Sequence, residues 1–261
     1  MVLLLSVFLT AFIFSMFGLG GGLFYMPIFM FFCKSPQEAS LLSFLCIFVT
    51  AGSSALRYYR AKSVDGRLVI FLGIPLSVMI FVSGFVVSRL AAPYLKLILG
   101  SVLCFAGILL AQPRPRWVWS GGIYRFLRQY FPHRDFTFHP AVLSPLAGLA
   151  GFSCGLAGIA GGVFEIPMMA GLLRVSAPVA VGTSSVAVLL SGFLGAASRI
   201  SFLSVPFSMN VWLVGGILLC AFLGAQLGPQ VSLNINRDVF KRVCGFVIFV
   251  IGLYYAVHIL L

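Results

Sequence analysis

The sequence predicts an all-α, polytopic membrane protein made of two inverted-topology repeats of about five helical segments each. Three observations carry this reading. First, the 261-residue chain is 61% hydrophobic and only 8% charged, with a mean hydropathy of +1.12, whereas soluble domains carry about 25% charged residues. Second, its apolar stretches run to roughly 20 residues, the length at which an α-helix crosses a bilayer core of about 30 Å. A β-barrel would show shorter segments of alternating polarity. Third, a glycine cluster occurs twice, 140 residues apart: Gly18-Leu19-Gly20-Gly21-Gly22-Leu23-Phe24-Tyr25-Met26-Pro27 and Gly158-Ile159-Ala160-Gly161-Gly162-Val163-Phe164-Glu165-Ile166-Pro167.

In chain order, the first repeat (1–111) holds apolar segments at roughly 1–17, 23–33, 38–57, 67–89 and 93–111. The N-terminus lacks a basic region, and its apolar run leads straight into the first glycine cluster. It therefore reads as a membrane segment rather than a cleaved signal peptide. The second repeat (140–261) holds segments at roughly 141–157, 163–173, 178–199, 208–230 and 236–260. In each half the second segment is short, about 11 residues, and reads as a broken or re-entrant helix. The repeat extends beyond the glycines. Ser43 matches Ser184, Arg57 matches Arg199, and Lys96, Gly100 and Gly107 match Lys241, Gly245 and Gly252 in the same order.

Between the halves, residues 112–139 carry Arg114, Arg116, Arg125, Arg128 and Arg134 against Asp135, interleaved with Trp117, Trp119, Tyr124, Phe126, Leu127 and Tyr130. This pattern reads as an amphipathic helix on the membrane surface, with a plain basic loop as the alternative. The net charge of +12, from 17 Lys+Arg against 5 Asp+Glu, then reflects basic loops facing the cytoplasm rather than nucleic-acid binding. The same rule puts the linker and the Arg57, Arg60, Lys62, Arg67 loop inside, together with Arg237, Lys241 and Arg242. Arg199 and both termini fall outside. Each half then makes an odd number of net crossings, which inverts the second half relative to the first, as recurs in secondary transporters.

The six cysteines, Cys33, Cys46, Cys104, Cys154, Cys220 and Cys244, show no metal-ligand spacing; neither disulfides, a metal site nor a cofactor is expected. The chemistry is expected at the glycine clusters. The first N–H groups of a helix have no intrahelical partner and carry the positive end of its dipole, and glycine lets an oxyanion approach them. Gly20, Gly21 and Gly22 offer this before the helix beginning near Leu23, and Gly161 and Gly162 before that beginning near Val163. Close helix packing is the alternative use of such small residues. No Gly-Lys-Ser/Thr follows, and no βαβ context exists, so P-loop and dinucleotide readings fail.

Downstream, Thr183 and Ser184 offer hydroxyls in an apolar helix, or bond back to helix carbonyls. The first-half equivalent, Leu42-Ser43, keeps only Ser43. Asn210, Gln226 and Gln230 are weaker polar candidates. Glu165 is the carboxylate beside a glycine cluster, with Tyr25 as its counterpart. An intramembrane carboxylate is expensive and usually functional, and Glu165 is a candidate carrier of a coupled proton; the alternative is a carboxylate near the membrane surface or paired with an arginine. His133, His139 and His258 lie beside neither glycine cluster.

These residues resemble the sulfite exporter TauE/SafE family, also called the toluenesulfonate uptake permease family. The resemblance rests on Gly-Leu-Gly-Gly-Gly followed by Pro27, its duplication, and the Gly182-Thr183-Ser184 element, and covers nearly the whole chain apart from the basic linker. It implies bacterial inner-membrane transport of a small sulfur-containing oxyanion such as sulfite, sulfoacetate or another organosulfonate, with export favoured. It also implies Gly20, Gly21, Gly22, Gly161, Gly162, Thr183 and Ser184 as binding residues. Ala160 replaces a glycine and Leu42 stands opposite Thr183, so the two half-sites are not equivalent. The expected partners are the anion, the lipid bilayer and a coupling proton; a homodimer stays open. A passive anion channel is the competing function. An intramembrane enzyme would need a nucleophile with a base, and no histidine is placed for it.

Overall fold

The computed structural model describes residues 1–15, 20–33, 35–111, 140–169, 173, 175–202, 210–231 and 246–255. The basic linker, Arg237, Lys241 and Arg242, the three histidines, and the side chain of Gln230 lie outside the described residues. Within them the chain is helical and contains no strand. The first half gives α1 (Val2–Ser15), α2 (Gly22–Phe32), α3 (Pro36–Arg60), α4 (Gly66–Val87) and α5 (Ala92–Ala111). The second gives α6 (Pro140–Ala157), α7 (Gly162–Pro167), α8 (Ala177–Phe202), α9 (Val211–Val231) and α10 (Phe246–Tyr255). The short second segment of the first half is α2, 11 residues long; in the second half α7 runs on into a π-type turn at Met168 and Met169, and residues 170–172 lie outside the described residues.

Local chemistry explains the boundaries. Helix α3 starts at Pro36 because Ser35 caps it, its hydroxyl accepting the Glu38 N–H at 3.2 Å, with proline at the first helical position where no N–H is needed. Helix α4 is capped by Asp65, which accepts the Arg67 N–H at 2.9 Å. It widens into a π-helical turn over Val69–Gly73, just before Pro75. Proline supplies no N–H and crowds the carbonyl four residues earlier, and a wider turn relieves both.

Helices α3, α4 and α8 are long and apolar enough to cross a membrane. On α4, Leu72, Leu76, Ile80, Ser83, Gly84 and Val87 face inward, while Ile70, Ile74, Val78, Val82 and Phe85 form an exposed apolar stripe. A helix that is apolar on both faces, with one of them exposed, is matched to lipid rather than water.

The centre is the antiparallel pair α3 and α8. Phe48 lies against Gly192, Phe44 against Gly195, and Ser40 bonds Arg199, so α3 runs back as α8 advances. Glycine makes the approach close: a Cβ at Gly192 would sit 2.8 Å from the Phe48 amide nitrogen. Around this pair, α1 packs on α9 and α4 on α6, and α3 also meets α9 as α8 meets α4. Exchanging the halves leaves these pairings unchanged.

The sequence places Arg199 at the outer end of its segment; the structure adds that it is interior. Helix α8 continues to Phe202, and Arg199 is buried to 0% exposure, because Gly84, distant in sequence, leaves room for it and the Gly155 carbonyl accepts from it.

Candidate functional site

The two glycine clusters meet. A Cβ at Gly22 would lie 2.7 Å from the Ala160 amide nitrogen, so the start of α2 abuts the turn that leads into α7. The turns are built differently. In the first, Gly20 and Gly21 both take the left-handed conformation, with φ of +66° and +72°, which side chains other than glycine rarely adopt. In the second, Gly158 is left-handed (φ +71°) and Gly161 is not. Gly158 ends α6: its N–H bonds the Gly155 carbonyl at 3.1 Å and Ile159 N–H bonds that of Cys154 at 3.0 Å, the double bond pattern that closes a helix on a left-handed glycine. Gly161 is needed for space instead, since a Cβ there would lie 2.4 Å from a Leu76 methyl.

At the start of α2, the Gly21 carbonyl accepts the Phe24 and Tyr25 N–H groups; at the start of α7, that of Gly161 accepts those of Phe164 and Glu165. Among the described residues no acceptor serves the N–H groups of Gly22, Leu23, Gly162 and Val163. All four residues are buried. Buried backbone donors are normally satisfied, and helix-start donors are suited to an anion.

The hydroxyls divide. Ser43, fully buried, donates to the Gly158 carbonyl at 2.9 Å and so ties α3 to the second glycine turn. Ser184 donates to Glu165 Oε2 at 3.1 Å. Thr183 turns to the α3–α4 loop, where its Oγ1 accepts the Asp65 N–H at 3.0 Å. Glu165 is 1% exposed, and its Oε1 has no hydrogen-bond partner. It is not at a surface, and among the described residues no arginine pairs with it. On the first arm, Tyr25 is buried and shares a hydrogen bond of 2.8 Å with Thr50. One arm thus carries a phenol and the other a carboxyl group. Of the weaker candidates, Asn210 accepts the Trp212 N–H at 3.1 Å and Gln226 binds Arg57. The Ser35 cap and the burial of Arg199 escaped sequence reasoning. The first is signalled by Ser35-Pro36-Gln37-Glu38; the second has no local signal.

Two-fold paired helices around two broken arms, with apolar faces turned outward, define a multi-pass helical membrane protein. The chain belongs to the sulfite exporter TauE/SafE family of membrane transporters, whose model matches residues 3–255. It is similar to the probable membrane transporter protein YunE of Bacillus subtilis, at 29% identity across 91% of this chain and 90% of the relative. It is also similar to the probable membrane transporter protein MJ0441 of Methanocaldococcus jannaschii, at 24% identity across 94% and 92%. No solved structure matches it.

Proposed function

We propose that this family member is a secondary transporter that moves a small sulfur-containing oxyanion, such as sulfite, sulfoacetate or another organosulfonate, across the bacterial inner membrane by alternating access, in the direction of export. The observation that carries this is the meeting of two glycine turns whose following helices begin with buried N–H groups that have no acceptor among the described residues. An oxyanion between Gly20, Gly21, Gly22 and Gly161, Gly162 would take those donors. Side chains contribute more on the second arm. Ser184 and Glu165 stand there, Ser43 holds the turn from α3, and Thr183 keeps its own hydrogen for donation. Pairings that survive exchange of the halves support two repeats, 1–111 and 140–261, that rock about the α3–α8 pair. The unpartnered oxygen of Glu165 supports its use as a proton carrier: as a neutral acid it can donate there, and as an anion it is uncompensated.

The test is flux in proteoliposomes, comparing sulfite, sulfate, thiosulfate, sulfoacetate and taurine in the wild type and in Gly21→Leu and Gly161→Leu. The expected outcome is selective flux of one sulfur oxyanion, lost in both variants when they elute as monodisperse protein. Normal transport by both variants defeats the glycine site. Flux at channel-like rates with no driving ion points to a passive channel.

A further inference from the structure

Arg199 is a buried charge that the proposed transport cycle does not use. Its Nε donates to Ser40 Oγ at 2.9 Å, its Nη2 donates to the Gly155 carbonyl, and its Cζ lies 5.3 Å from the centre of the Phe44 ring. Nη1 has no hydrogen-bond partner. Both acceptors are neutral. A guanidinium has five N–H donors and keeps its charge in proteins, and a buried charge persists at tolerable cost only when it is paired. Ionisable groups inside a membrane are therefore functional candidates by default.

The repeat indicates what this arginine lacks. Arg57, in the last turn of α3, donates through Nη2 to both Oε1 and the backbone carbonyl of Gln226, each at 2.7 Å. Arg199 occupies the last turn of α8. The offset of 142 residues pairs Arg57 with Arg199. Where the first arginine meets a carboxamide, the second meets a glycine: a Cβ at Gly84 would lie 3.0 Å from Nη1. Arg199 thus lacks the carboxamide acceptor that Arg57 has.

This guanidinium also sits one side chain from the second glycine turn. Ser40 Oγ, which it bonds, would be 2.9 Å from a Cβ on Gly158, and the Gly155 carbonyl belongs to the final turn of α6. We propose that Arg199, with Ser40, is a second anion-holding station, taking an oxygen of a small inorganic or organosulfonate oxyanion on Nη1 as it passes to or from the glycine turns. This rests on the oxyanion-transport reading above. The bond is charge-assisted, and so stronger than one to a neutral donor.

The test uses the purified full-length protein. Sulfite and sulfate are titrated at constant ionic strength while thermal unfolding is followed, and sulfite flux is measured in proteoliposomes. Arg199→Gln removes the charge yet can still donate to Ser40 and Gly155. It is expected to melt no lower than the wild type without ligand, to lose the ligand-dependent rise in Tm that binding produces, and to raise the KM about tenfold or more. Arg199→Lys keeps the charge and should fall between the two. Should Arg199→Gln not elute as monodisperse protein, Ser40→Ala, which removes the hydroxyl that holds Nε, is expected to raise the KM likewise. A KM within about twofold of wild type in the deciding variant, with the ligand-dependent Tm rise retained, overturns the station and leaves the transport reading standing. A wild type that neither binds nor moves any of these anions overturns that reading, and the station with it.

Discussion

Glu165 holds the most exposed chemical question in the smallest space. One carboxyl oxygen accepts from Ser184 and the other has no partner, at 1% exposure. If this group takes up and releases a proton in each cycle, flux driven by an imposed pH gradient depends on it. Glu165→Gln keeps the hydrogen bond to Ser184 but cannot titrate. Its flux is expected to be indifferent to the pH gradient in proteoliposomes that drive wild-type transport; an unchanged response to pH would remove the proton role. The location of Glu165 was legible in the sequence because it stands seven residues after Gly158, inside a motif. Arg199 was not legible in the same way. An arginine at the end of an apolar run reads as the outer end of a membrane segment. Only the packing of Gly84, Gly155 and Phe44, from three other helices, shows it to be interior.

At the level of elements, helix identity was readable because hydropathy in a membrane chain is a strong signal, and each apolar segment reappears as a helix where the structure describes it. Boundaries were less so. Helix α3 begins two residues earlier than the apolar run, at a cap made by polar residues that hydropathy ignores. Ser35→Ala removes that cap. It is expected to cost about 1 kcal/mol of stability, seen as a lower melting temperature, with the KM unchanged because Ser35 touches no part of the glycine turns. The glycine turns themselves were visible as helix breaks, but not the division of labour within them. Backbone strain demands glycine at Gly20, Gly21 and Gly158, whereas at Gly161 and Gly22 it is proximity to Leu76 and to the Ala160 backbone. A motif spelled in one letter conceals two physical requirements.

For the whole molecule, the expected inversion concerns sidedness. Ala61 and Asn210 are exposed and occupy equivalent connections, after α3 and before α9. In a cysteine-free background, Ala61→Cys is expected to react with a membrane-impermeant thiol reagent only from the cytoplasmic side, and Asn210→Cys only from the other. Labelling of both from one face would refute the inversion while leaving the helix pairings intact. The five-segment period could be anticipated from the duplicated glycines and from Ser43 and Ser184. The cross-half pairings of α1 with α9 and α4 with α6 could not, because they join residues whose proximity no local pattern encodes.

The closed end of α6 has an electrostatic consequence. Where one helix stops and the next starts within a few residues, a negative pole lies beside a positive one, and an approaching anion would feel the two nearly cancel. Here the carbonyl pole is partly covered: Gly155 accepts from Gly158 and from Arg199, Cys154 from Ile159, and Gly158 from Ser43. Among the described residues the Gly162 and Val163 amides of α7 have no acceptor. The turn thereby tilts its own field toward the positive pole although it is assembled from two opposed dipoles.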